Sequence, residues 1–159
     1  ALNWHSVKEN EFNGKGVISV CQEIFKISKS EKFIDEYPIC TAFIIRSLLE
    51  QSLKYHAAKN DYYRIIKQQY NNQNGNGEPT LSSIISNYQK NIKQWIPDTN
   101  IRRLFSIVFS QQIQHDKFNL VIHAPECYTL SPDTLKSIPG EGMLAIVNFL
   151  LSDILEEKN

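Results

Sequence analysis

No stretch of this chain approaches the run of about eighteen apolar residues that marks a membrane-crossing helix, and no signal-peptide pattern stands at its start. A membrane partner is therefore not expected. Cysteine is scarce. Cys21, Cys40 and Cys127 form no CxxC pair, and an odd number argues against a disulfide framework. A reducing cytoplasm is the simplest setting. Net charge is missing as well, because Lys plus Arg and Asp plus Glu stand at 17 each. That balance argues against a dedicated basic nucleic-acid binder and leaves room for a local basic patch. The sequence also lacks a GxxxxGK[ST] loop, an HExxH helix and a GxSxG elbow. Phosphate-loop, zinc-protease and serine-hydrolase chemistry lose their usual signatures with them.

What is present fits one ordinary globular domain: 159 residues, 42% hydrophobic and 21% charged. The chain opens on Ala1 without Met, as a piece of a longer protein does. Charge is unevenly spread. Residues 80–120 hold Lys90, Lys93, Arg102, Arg103 and Lys117 against two acids, whereas residues 121–159 hold six acids against Lys136 and Lys158. Such opposed regions can dock on each other, although charge runs more often form solvated faces.

Apolar residues recur at helical spacing almost throughout, and no segment demands a strand. Residues 1–15 lack periodicity and read as an irregular lead-in to a bundle over 16–159. A first helix is expected over about 16–29, with Val17, Val20, Cys21, Ile24, Phe25 and Ile27 as its stripe. A long second helix opens at Pro38, with Ile39, Ala42, Phe43, Ile45, Leu48, Leu49 and Leu53 turned to the core. His56, near its end, reads as a surface group. Asn60 or Asp61 is the expected cap of a third helix through residue 70. Residues 71–80, with Gly75, Gly77 and Pro79, read as a flexible surface loop.

A helix over about 80–95 follows, capped by Thr80 or Ser82 and ended by Pro97. Asp98, Thr99 or Asn100 caps the next, whose inward residues are Ile101, Leu104, Phe105, Val108 and Phe109. "DKFNLVIH" makes a short helix stopped at Ala124-Pro125. "SPDTLKSI" makes another, and the last carries Met143 or Leu144, Val147, Leu150, Leu151, Ile154 and Leu155. The expected fold is an all-α, single-domain bundle of about six to eight helices, without repeats.

Two constellations can carry chemistry. Asn119 and His123 lie four apart and share a helix face, so the amide can orient the imidazole for acid–base work. In the bland alternative, His123 caps carbonyls in a last helical turn. Arg46 and Glu50 are also four apart, close to the apolar stripe. They read as a partly buried structural ion pair, or else Arg46 is a phosphate contact. His5, His56, His115 and His123 are scattered, so no metal site and no cofactor are expected. Cys127 near His123 shows no triad order.

"RSLLE" on a long helix, a variable helical middle, "FNLVIHAP", then "SPDTL" and a final apolar helix together resemble HEPN-like domains over about residues 37–155. Such domains occur at the ends of longer bacterial proteins, some with a ParB-like or nuclease-type N-terminal part. The resemblance implies a helical bundle that dimerises. In active members it implies a metal-independent ribonuclease whose signature pairs an arginine with a histidine a few residues on. His123 matches the histidine. The arginine position falls on Asp116, Lys117 or Phe118, and Lys117 keeps the charge without the planar fork of donors.

The leading expectation is thus a noncatalytic interaction or dimerisation domain of a larger bacterial protein, working as a homodimer or with a protein partner. The alternative is an RNA-cleaving enzyme of a defence or toxin system. There His123 is the acid–base group, Asn119 its orienter, and Lys117 or Arg46 the phosphate contact. A third reading is an RNA- or DNA-binding module using Arg46, Lys90, Lys93, Arg102 and Arg103, with steeply salt-dependent affinity.

Overall fold

Pro38 opens the longest helix among the described residues, where its missing N–H is not needed. This helix, α3 (Pro38–Lys59), is about 33 Å long at 1.5 Å per residue and forms the spine of the bundle. The computed structural model describes residues 1–110 and 132–153. Around α3 pack α1 (Gly14–Ser28), α2 (Glu31–Glu36), α4 (Tyr63–Asn74), α5 (Leu81–Lys90), α8 (Pro132–Ser137) and α9 (Met143–Leu151). The short α6 (Ile92–Trp95) follows α5, and α7 (Thr99–Ser110) packs on α9. A 3-10 turn, Ile138–Glu141, joins α8 to α9. The protein is an all-α helical bundle, with no strand among the described residues.

The core gathers Val17 and Cys21 of α1, Ala42, Leu49 and Leu53 of α3, and Ile84 and Tyr88 of α5. Phe105 of α7 and Ile146 and Leu150 of α9 complete it. The lead-in is irregular, as its sequence suggests, but it is fastened. The backbone N–H of Asn3 donates to Asn148 Oδ1 at 2.8 Å, and Asn148 Nδ2 donates to the Ala1 carbonyl at 3.0 Å. Helix α1 starts at Gly14, where a Cβ would fall 1.9 Å from the Lys8 carbonyl oxygen. Only glycine lets the lead-in fold back so closely.

Helix ends show which polar residues act as caps. Thr80 accepts from Ser83 N–H at 3.2 Å and opens α5, and Asp98 accepts from Ile101 N–H at 2.9 Å and opens α7. Asn60 and Asp61 do not cap α4. Asn60 instead gives its amide to the His56 carbonyl at 2.8 Å, sealing the end of α3, and Asp61 takes the left-handed turn conformation at φ 64°. The helix expected over 80–95 breaks at Asn91, whose amide donates back to the Asn87 carbonyl at 2.9 Å.

Four further differences from the sequence reading matter. Helix α2 went unforeseen. Helix α4 runs on to Asn74, into the expected loop. Beyond it Glu78 accepts from the Tyr63 hydroxyl at 2.6 Å, and Pro79 is buried. Phe25 lies at the rim, edge-on to Trp4 at 6.4 Å with Lys29 Nζ 4.1 Å over its ring. Ile39 and Phe43 face outward. The apolar residues of α3 almost encircle it, so the neighbours, not the periodicity, decide which ones are covered.

Candidate functional site

Leu49, Leu53 and His56 follow one another at helical spacing on the buried face of α3, and this places an imidazole in the core. His56 is 3% exposed, so the surface position expected for it is corrected. Its Nδ1 lies 2.6 Å from the hydroxyl of Tyr88 on α5, and that hydroxyl donates to the Leu53 carbonyl at 3.3 Å. With the hydroxyl proton so placed, the neutral ring carries its own proton on Nδ1 and donates it to Tyr88. Rings of Tyr62, Tyr88 and Phe149 surround it. Burial, aided by the positive charge of Lys59, pushes its pKa down to about 4. At neutral pH this histidine is an uncharged packing group.

Tyr55, next to His56 on α3, and Lys59, one turn further on, meet Glu11 of the lead-in and Asp153 beyond α9. The Tyr55 hydroxyl donates to Glu11, which also accepts from the Lys8 backbone N–H at 3.1 Å. Lys59 Nζ sits 3.9 Å from Glu11 and 3.7 Å from Asp153. Partial burial pushes the Glu11 carboxyl up, but these two hydrogen bonds and Lys59 outweigh it and hold it below its ordinary value. The Tyr55 hydroxyl is pushed above its ordinary range by burial and by Glu11. The cluster ties both ends of the described chain to α3.

Arg46, Glu50 and Lys54 form a ladder along α3. Arg46 Nη1 lies 3.2 Å from Glu50 Oε2, and Lys54 Nζ lies 3.0 Å from Glu50 Oε1. The guanidinium is thus held within its own helix. Lys90, Lys93 and Arg103 are exposed, on α5, α6 and α7. Arg102 is half-buried and reaches Thr99 Oγ1 at 3.4 Å. Arg46 belongs to another part of the bundle, on the outward face of α3. Lys117, Asn119 and His123 lie outside the described residues, as do His115 and Cys127. Among the described residues no group of three or more His, Cys, Asp or Glu side chains could hold a metal, and no helix is long and apolar enough to cross a membrane. Cys21 is buried in the core, and burial pushes its thiol up to about 12, which removes its nucleophilic form.

Comparison with protein-family models, with curated proteins and with solved structures finds no match.

What sequence reasoning missed is a face, not a residue. Ile39 and Phe43 stand one turn apart on α3, 36% and 46% exposed, in line with Arg46 and Glu50. Tyr37, 50% exposed, precedes them and packs on Phe33 at 5.0 Å, and the Cys40 thiol is exposed beside them. The second half of the same face runs under the Tyr63–Glu78–Lys67 cluster, with Lys67 Nζ 3.5 Å from Glu78. Glu78 and Glu50 both act on Tyr63, whose hydroxyl is pushed up chiefly by burial. Among the described residues the apolar first half has no such cover. A signal was in the sequence: Ile39, Phe43 and Arg46 share one face, while Ala42, Leu49 and Leu53 make a second, better-filled one.

Proposed function

We propose that this chain is a noncatalytic helical interaction domain that pairs with a second copy of itself through the outward face of α3. The observation that carries the reading is the exposed Ile39–Phe43 row beside Tyr37. Large apolar side chains grouped on one face mark association surfaces more often than scattered ones do. A second copy suits the face because its features are balanced about one level. Ile39 and Phe43 lie equally far on either side of Thr41 on α3. A two-fold axis at that level sets Ile39 of each copy against Phe43 of the other. A closed, self-complementary contact needs this symmetry.

The buried groups support the noncatalytic part. His56, Tyr55, Glu11 and Arg46 are spent on packing and on pairs within the chain. A dimerising bundle also agrees with the HEPN-like pattern of "RSLLE" and "FNLVIHAP", and with Lys117 standing where that family's active members have arginine. Two measurements test the reading. Sedimentation of the chain and of Phe43→Glu reports the pairing. Incubation with RNA and a chelator, beside His123→Ala, reports the chemistry, and His123-dependent cleavage overturns the noncatalytic part.

A further inference from the structure

Helices that pack side by side normally interdigitate apolar side chains along their seam. Along one flank of the α4–α5 seam the residues are hydroxyls and carboxamides instead. Ser82, Ser86 and Lys90 recur every fourth residue of α5, and Gln69 and Gln73 stand one turn apart on α4 across from them. The short serines leave a groove of about 360 Å³. From Ser82 to Lys90 it spans about 12 Å of helix.

The walls are prepared for hydrogen bonding. Asn87, almost fully buried, gives its amide nitrogen to the Ser83 carbonyl at 2.8 Å, which leaves Oδ1 as the acceptor on the groove side. Asn74 is fixed in the same way, donating to the Tyr70 carbonyl at 3.1 Å. The ring of Tyr70 closes one end, and Gly77 comes close to it: a Cβ there would lie 3.5 Å from Cε1. Gln69, Gln73, Ser82, Ser86 and Lys90 engage no described residue with their side chains, so their donors and acceptors are open.

The chemistry of the lining selects the occupant. Among the described lining residues there is no carboxylate, so a cation would meet only neutral oxygens there. Lys90 is the one cation among the described lining residues, too few for a polyanion of this length, which is held by several cations and stacking rings. A peptide strand would bring apolar side chains, and among the described lining residues only the Tyr70 ring can receive them. A ligand whose every position both donates and accepts matches the mixture of amides and hydroxyls. We infer that the α4–α5 groove binds a neutral polyhydroxylated ligand, a short oligosaccharide, through Gln69, Gln73, Asn87 and Ser86, with Tyr70 beneath the apolar face of one ring. This site is separate from the α3 face and stands or falls without it.

The test is a two-dimensional amide NMR titration of the whole chain with maltotriose, cellotriose and N-acetylated chitotriose. Saturable shifts are expected for at least one of them, centred on the side-chain amides of Gln69, Gln73, Asn74 and Asn87. They should persist between about 50 and 500 mM salt, since no counterions are released. Ser86→Phe fills the groove from the solvent side and should abolish the shifts, while Gln73→Ala should weaken binding several-fold. Undisturbed backbone peaks of the other helices establish that each variant is folded. The inference is overturned if none of the three sugars gives a saturable shift. It is equally overturned if the shifts survive Ser86→Phe, or if a single-stranded RNA hexamer alone binds, with salt-sensitive affinity.

Discussion

The imidazole of His56 and the phenol of Tyr88 hold α3 to α5 by a 2.6 Å hydrogen bond in the core of the bundle, across thirty-two residues of sequence. This pairing has consequences for stability. Tyr88→Phe removes the hydroxyl and leaves Nδ1 buried without a partner. The expected cost is about 1–3 kcal/mol by urea unfolding, with the helical circular dichroism unchanged. A neutral result would mean that the ring finds another partner.

The same histidine sets an acid limit. Its pKa is about 4 in the folded chain against an ordinary value of 6.5. Between these values the unfolded chain binds the proton and the folded chain does not, so stability falls as pH drops from about 6.5 towards about 4 and levels off below. The shift corresponds to about 3 kcal/mol at most. Unfolding midpoints of the wild type and His56→Gln across this window check it: the substitution should flatten the pH slope. Equal slopes would contradict the burial of a neutral ring.

Glu11 gives a second case, in which stability also falls with falling pH but through the loss of favourable contacts. Its carboxyl is held low by Tyr55 and Lys8 hydrogen bonds and by Lys59. Its contribution is therefore complete above the ordinary value of 4.5 and disappears as pH falls through the lower folded value. Glu11→Gln should cost about 1 kcal/mol near neutral pH and speed hydrogen exchange and proteolysis in residues 1–13. Unchanged cleavage there would show that the Asn3–Asn148 contacts alone hold the lead-in.

Ser52 predicts a gain. Its side chain is fully buried on α3, and Oγ has no hydrogen-bond partner among the described residues. Burying an unpaired hydroxyl costs free energy, so Ser52→Ala should raise stability by up to about 1 kcal/mol in thermal or urea unfolding. A clear loss would show that the hydroxyl is satisfied.

Much of the fold was legible because its signals are local. Pro38 and Pro97 punctuate the chain, Thr80 and Asp98 cap helices, and the stripes of α1, α5 and α9 repeat at helical spacing. What stayed hidden depends on partners distant in sequence. His56 is buried because Tyr88 and Phe149 arrive from α5 and α9. Ile39 and Phe43 are outside because the neighbours of α3 cover its other flanks. The break at Asn91 turns on one side chain choosing the Asn87 carbonyl, a choice no periodicity records. The site read from "FNLVIHAPECY" lies outside the described residues, so the structural account rests on α3 and the α4–α5 groove.

Pairing through α3 is the central claim, and sedimentation velocity over a wide concentration range tests it most directly. The wild-type chain should sediment as a dimer or as a concentration-dependent monomer–dimer mixture. Phe43→Glu should sediment as a folded monomer, because two buried carboxylates then face apolar surface across the two-fold. A wild-type chain that remains monomeric at the highest concentration, or a Phe43→Glu variant that still pairs, would contradict the account.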